Sequence, residues 1–279
     1  PEGDNVVWIP GYWAWDDERN DYLWVSGVWR ALPPGRQWVP GYWEQTDRGF
    51  QWVSGYWADA AEREPIYLPA PPATLEVGPD MDAPSIDYVW EPGYWVWNQG
   101  RYTWHPGRWV EGRSDWEWYP ASYVWTPRGY VFVDGYWDYS VDRRGVLFAP
   151  VYFEPSVYER QDYQYSPNIV VALAGFLANL FARPSYDHYY FGDYYDDTYR
   201  NEGFYYWSYP QSGRYRYDPI YEQQRWEYRR DREWRNRLET LYQYRHDHEE
   251  ARPLRTWESQ RSISSGEQAA DNNLVIVVP

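Results

Sequence analysis

Cysteine is absent from the 279 residues, which excludes disulfides and thiolate chemistry. Lysine is absent too, so all 26 basic residues are Arg. Arg stacks on aromatic rings and pairs with carboxylates through two parallel hydrogen bonds, which Lys does poorly. A GC-rich genome accounts for the same bias equally well. Histidine is scarce, at four residues, and none is placed for catalysis. His105 sits at a variable position of a repeat, and His188 stands alone. His246 and His248 lie two apart, on opposite sides of any helix that carries them. No G-x-S-x-G, P-loop, H-E-x-x-H or dinucleotide-binding pattern occurs. The chain therefore reads as no enzyme and calls for no cofactor. A pair of glycosidase carboxylates needs no motif, so a glycan-active enzyme stands as a third reading.

Positive charge is also short, with 42 acids against 26 Arg and a formal net charge of −16. The first 159 residues hold 24 acids and 11 Arg, and the remainder holds 18 and 15. A protein that tracks a nucleic-acid backbone needs a basic patch, so nucleic acid is excluded as a partner. The longest apolar stretch, Asn168–Ala182 between Pro167 and Pro184, reads as a short helix of roughly 22 Å. A bilayer core of about 30 Å is too thick for it, so no transmembrane span is expected. A buried core helix fits best, ahead of a subunit-contact helix.

What the chain has in excess is aromatic surface: 22 Trp, 32 Tyr and 8 Phe, or 22% of its residues. Mean hydropathy is −0.89, but disordered segments are poor in aromatics, so most of the chain is expected to fold. The rings are ordered in a repeat, W-x-x-G-x-W. Its copies are Trp8–Gly11–Trp13, Trp24–Gly27–Trp29, Trp38–Gly41–Trp43 and Trp52–Gly55–Trp57, then Trp90–Gly93–Trp95 and Trp104–Gly107–Trp109. Degenerate copies follow at Trp118–Ala121–Tyr123, Phe132–Gly135–Trp137 and Phe148–Val151–Phe153. Unit starts are spaced 14 or 16 residues apart within each block, with turn-rich segments such as Pro33-Pro34-Gly35-Arg36 and Asn98-Gln99-Gly100-Arg101 between them.

A strand of about ten residues plus a tight turn accounts for that period, and short turns demand antiparallel neighbours. The expected fold is mainly β. It consists of antiparallel up-and-down meanders packed as a sandwich or barrel, followed by an α-helical C-terminal region. The two aromatics of a unit are five residues apart and would face opposite sides of a regular strand. A bulge at Gly11, Gly27, Gly41, Gly55, Gly93, Gly107 and Gly135 would bring both onto one face as a clamp. Pro10, Pro40, Pro92, Pro106 and Pro150 remove a ladder donor just before the third-from-last position of the hexad.

Stretches such as Trp8-Ile9-Pro10-Gly11-Tyr12-Trp13 and Trp38-Val39-Pro40-Gly41-Tyr42-Trp43 resemble the WXXGXW (YXWGXW) repeat family of exported bacterial proteins, over roughly residues 5–155. The resemblance implies export and a cell-surface or envelope setting, and brings no catalytic residues. The last units depart from the motif.

Five segments follow: a first block over 1–59, a Pro-rich linker over 60–86, a second block over 87–160, a mixed region over 161–252, and a tail over 253–279. The linker can run along a sheet edge and cover it. Within the mixed region, Asp187, Asp193, Asp196 and Asp197 form a weak Ca²⁺ candidate whose spacing fits no EF-hand, so a hydrogen-bonded Tyr/Asp loop is favoured. Asp218-Pro219 starts a helix expected to run to about Glu250. The tail ends in Leu274-Val275-Ile276-Val277-Val278, a strand that completes a sheet of this chain or of a neighbouring copy.

Eighteen Trp lie in residues 1–137, each with about 200 Å² of surface, more than one inner layer holds. Some should face outward and mark a partner surface. The expected role is a structural subunit of a surface layer, fibre or matrix that self-associates through aromatic contacts. A module that stacks polysaccharide on exposed Trp and Tyr is the alternative.

Overall fold

The computed structural model describes residues 5–16, 20–47, 49–148, 151–153, 165, 170–171, 177–183, 188–208, 217–252 and 276–277. The fold is mainly antiparallel β, with short helices towards the C-terminus. Two compact units are present. One combines residues 1–30, 145–209 and 236–279; the other combines 31–144 and 210–235. The first repeat block is thus divided between them, unlike the segments drawn from composition.

The repeats fold in twos. Each pair of consecutive units makes one long hairpin, and the sheet does not run on to the next pair as a continuous meander would. In the third hairpin, Tyr88–Glu91 pairs with Arg108–Glu111, and Tyr94–Asn98 pairs with Arg101–His105. The second hairpin joins Arg36–Val39 to Tyr56–Asp59 and Tyr42–Thr46 to Gly49–Val53. The fourth joins Trp116–Tyr119 to Tyr136–Tyr139 and Ser122–Thr126 to Gly129–Val133. The first pairs Tyr12–Asp16 with Asp21–Val25, and Val6–Ile9 with Val28–Ala31. The turn Gln99-Gly100 has φ of 49° and 81°, the mirror-image geometry that suits a two-residue hairpin.

The expected bulges are not there. Glu91 lies opposite Arg108 and Tyr94 opposite His105, leaving two residues on each strand, Pro92-Gly93 and Pro106-Gly107. Pro40-Gly41 faces Ser54-Gly55 in the same way, and Pro120-Ala121 faces Asp134-Gly135. A bulge places an extra residue on one strand only. Here both strands are interrupted together and the register continues unchanged. Proline has no N–H to give, so the ladder stops at these positions.

Glycine is needed there for close approach. A Cβ on Gly41 would fall 2.7 Å from the Gly55 nitrogen and 2.6 Å from Cζ2 of Trp52. Gly93 meets the Gly107 nitrogen at 2.9 Å and Trp104 at 2.6 Å. In each full hairpin the two backbones touch at the glycines, and the first Trp of each unit lies over the glycine of the other.

The sheets gain outer strands. Tyr67–Leu68 of the linker pairs with Tyr130–Val131 at the edge of the fourth hairpin, as an edge-covering linker should. Val151–Tyr152, from the degenerate ninth unit, pairs with Leu23–Trp24 of the first hairpin.

Of the helix expected over 168–182, the described residues show strand at Val170–Val171 and Leu180–Arg183 and a helical Leu177, while 172–176 lie outside the described residues. Val170–Val171 pairs with Ile276–Val277, and Leu180–Arg183 pairs with His188–Phe191 and Tyr205–Tyr206. β-Branched Val pairs suit a strand better than a helix. The burial expected of the stretch holds at Leu180 and Phe181, both almost fully enclosed. The terminal strand therefore pairs within its own chain, and its other expected members, Leu274, Val275 and Val278, lie outside the described residues.

Asp218 does cap a helix, accepting from the Tyr221 N–H at 2.8 Å with Pro219 in the first turn. That helix ends at Glu227, and a second runs over Trp234–Asp247. The charged run Arg229–Glu233 separates them, so one expected helix is two.

Candidate aromatic contact surface

The hexads of each hairpin form two aromatic pairs, one on each side of the glycine crossing. The first Trp of one unit faces the last Trp of its partner. The pairs are Trp8–Trp29, Trp13–Trp24, Trp38–Trp57, Trp43–Trp52, Trp90–Trp109, Trp95–Trp104, Trp118–Trp137 and Tyr123–Phe132. Ring centroids are 5.0 Å apart in Trp38–Trp57 and 5.4 Å in Trp8–Trp29, mostly in tilted or edge-to-face geometry. Such pairs contribute about 0.5–1.5 kcal/mol each beyond burial. The clamp expected along one strand is thus formed between strands.

The fourth hairpin shows how the rule bends. Ala121 stands where the others have glycine, and Phe132 stands where the covering Trp would be. The crossing is also wider on its other side. A Cβ on Gly135 would lie 3.3 Å from the Tyr119 oxygen, against 2.8 Å for Gly107 and the Glu91 oxygen.

The pairs differ in what covers them. In the third hairpin a strap formed by the Pro-rich linker lies across the rings. Tyr102 Oη donates to the Pro69 carbonyl at 2.5 Å, and Trp95 Nε1 donates to the Ala73 carbonyl at 3.0 Å. Trp109 Nε1 donates to the Met81 carbonyl at 3.1 Å. Glu76 accepts from Trp90 Nε1 at 3.2 Å, from the Gly93 N–H, and from the Gly78 N–H at 2.7 Å. Under this strap Trp90 is only 8% exposed. In the first hairpin the matching Trp8 and Trp29 are 43% and 48% exposed, and Trp15 and Tyr22 are open beside them. The second hairpin buries Trp57 and exposes Tyr42, Trp43 and Phe50.

Beneath the fourth hairpin lies a polar cluster that sequence reasoning missed. Glu117 and Asp138 are opposite each other across the ladder and almost fully enclosed. They occupy the positions of Val89 and Val110 in the third hairpin. Arg144 bridges them, pairing with Glu117 and lying 3.4 Å from Asp138 Oδ2, and it donates to the Tyr139 carbonyl and the Tyr119 hydroxyl. Burial pushes the Glu117 carboxyl up to about 7, against the pull of Arg144 and a bond from the Val141 N–H. The available signal was two acids at the positions that hold Val89 and Val110 in the third hairpin.

The Tyr/Asp region is structural where it is described. Asp196 caps the helix Asp197–Asn201, accepting from Thr198, and those bonds hold its carboxyl below the usual range. Asp197 lies 3.5 Å from His246, and hydrogen bonds, first to Asp247 and then to Asp197, raise the His246 pKa. Burial raises the Asp193 carboxyl, and Asp187 lies outside the described residues. Among the described residues no group of three or more His, Asp or Glu could hold a metal ion, so the Ca²⁺ candidate is not assembled there. Among the same residues no helix is long and apolar enough to cross a membrane.

No curated protein and no solved structure matches the chain. The model of the WXXGXW repeat matches residues 3–30, 38–58, 87–110 and 128–141. Those matches fall on the four Trp-paired hairpins, and residues 3–141 carry several copies of the WXXGXW repeat.

Proposed function

We propose that this chain is a non-catalytic structural subunit of an exported bacterial cell-surface or extracellular assembly, held together through aromatic faces. The observation that carries the reading is the open set on the first and second hairpins: Trp8, Trp15, Tyr22, Trp29, Tyr42, Trp43 and Phe50. Solvent-exposed aromatic rings cost solvation free energy, and exposed apolar patches mark contact surfaces. The crossed hairpins also give the rings a rigid base, which lowers the entropy lost on docking. Strand exchange through the C-terminal strand is not part of the proposal, because that strand already has a partner in its own chain.

Electron microscopy and sedimentation of the purified chain test this reading. Concentration-dependent assemblies that dissolve when Trp8 and Trp43 are both changed to Ala are expected. A folded monomer at every concentration would overturn it. The carbohydrate-binding alternative draws on the open Trp15–Tyr22 pair, whose centroids are 4.9 Å apart next to Asp21. A monomer that loses glycan-array binding on Trp15→Ala would put that alternative first.

A further inference from the structure

The strap over the third hairpin shows which ligand chemistry this repeat surface fits, and the first hairpin presents three of the corresponding donors, Trp8, Tyr22 and Trp29, in the open. The two hairpins correspond position by position around their glycine crossings. Trp90 matches Trp8, Gly93 matches Gly11, Trp95 matches Trp13, Tyr102 matches Tyr22 and Trp109 matches Trp29. On the third hairpin these groups take Pro69-Ala70-Pro71-Pro72-Ala73 and the residues after it. The segment has no helix or strand between Leu68 and the Tyr88 strand, and its four backbone and side-chain acceptors are Pro69, Ala73, Glu76 and Met81. Proline fixes the backbone in an extended form before binding and has no N–H of its own, so a proline-rich segment offers more carbonyl acceptors than N–H donors. Aromatic rings that also donate a hydrogen bond are suited to such a chain.

We propose that the open face of the first hairpin binds an extended, proline-rich segment of another protein chain, with Tyr22 and Trp29 donating to its carbonyls and Trp8 to its carboxylate. The segment carries an acidic residue seven positions after the carbonyl held by Tyr22, as Glu76 follows Pro69. That carboxylate bridges the Trp8 indole and the Gly11 N–H. The contrast in exposure supports this. Trp90 is 8% exposed under its strap, and the matching Trp8 is 43% exposed. Among the described residues the strap lies on the third hairpin of its own chain, and Trp8, Tyr22 and Trp29 of the first hairpin stand exposed. The proposal rests on the reading of exposed rings as contact surfaces and names the chemistry of the contact.

A fluorescent peptide with the sequence of residues 66–81, titrated into the intact chain and followed by anisotropy, tests it. Saturable binding of one peptide per chain is expected. Trp8→Ala with Trp29→Ala should weaken it about tenfold or more, because two central aromatic anchors are lost. Trp43→Ala on the second hairpin should leave it unchanged, and a peptide with Gln in place of Glu76 should bind less tightly. Tyr22→Phe, which removes one hydroxyl and leaves the ring, should weaken binding severalfold, and it guards against misfolding of the double variant. Absence of saturable binding at millimolar peptide overturns the proposal. So does binding that survives the double variant, since it then reports displacement of the strap on the third hairpin. Binding of a soluble hexasaccharide at Trp8 and Trp29, with none of the peptide, overturns it in favour of a glycan. Assemblies that form normally while the peptide fails to bind sink this inference alone and leave the proposed function standing.

Discussion

The six-membered ring of Trp24 fills the space that a side chain on Gly11 would need: a Cβ there would fall 2.7 Å from Trp24 Cζ2. Trp8 does the same over Gly27, at 2.4 Å. The hexad is therefore half of a reciprocal device. Each unit supplies one glycine to be covered and one Trp to cover its partner's glycine, so neither unit completes its packing alone.

A substitution cycle in the second hairpin follows from that device. Gly41→Ala drives a methyl into Trp52 and into the backbone at Val53 and Gly55, at 2.6–2.7 Å. Overpacking of this kind costs about 1–3 kcal/mol. Trp52→Phe removes the outer ring that blocks the methyl and recreates the Ala121–Phe132 combination of the fourth hairpin. The double variant should be more stable than the sum of the single effects by about 1 kcal/mol in denaturant unfolding. Additive effects would show that the backbone contact alone forbids the methyl.

Repeat, period, antiparallel class and even the edge-covering linker could be read in the sequence, because each is a matter of local spacing. Pairing in twos could not. A 14-residue period with short turns suits a meander and separate hairpins equally. What decides is the crossing of Gly11 with Gly27, a contact between units. The bulge inference failed for a related reason: it treated Trp8 and Trp13 as partners within one strand, whereas Trp8 faces Trp29. The ends of the apolar stretch misled because apolar composition fixes burial and not backbone; Leu180 and Phe181 are buried as strand residues. The strap's acceptors carry no sequence signal beyond proline, since carbonyls belong to every residue.

The strap should detach when its acid is lost. Glu76 holds the Trp90 indole and the Gly93 and Gly78 N–H groups together. Glu76→Ala leaves these donors without their carboxylate, a loss of about 1–3 kcal/mol. Limited proteolysis should then cut within residues 66–81 well before the hairpins unfold. Cleavage at the wild-type rate would mean that the indole bonds to Ala73 and Met81 suffice.

Removing residues 274–279 should lower the melting temperature by a few degrees and leave the sedimentation coefficient that of the same oligomer, scaled for mass. Val170–Val171 loses its ladder partner in the same chain. A change in oligomeric state on truncation would mean that the strand also bonds between copies.

The buried acid pair makes stability depend on pH in a defined direction. Burial raises the Glu117 carboxyl from 4.5 to about 7, so the folded chain holds this proton more tightly than the unfolded chain. The group therefore stabilises the fold fully below about pH 4.5, and that contribution is lost as the pH rises through 7. Glu117→Gln keeps a neutral acceptor in place and removes the titration. From pH 8 to pH 5 the wild type should gain stability over this variant, by an amount on the order of 1–3 kcal/mol in urea unfolding. Arg144→Met should be the more damaging change at pH 8, costing about 3–5 kcal/mol, because it leaves Glu117 and Asp138 facing each other without a cation. Lowering the pH should restore part of that loss by protonating Glu117. Parallel stability–pH curves for wild type and Glu117→Gln would show instead that Arg144 keeps the carboxyl ionised across the whole range.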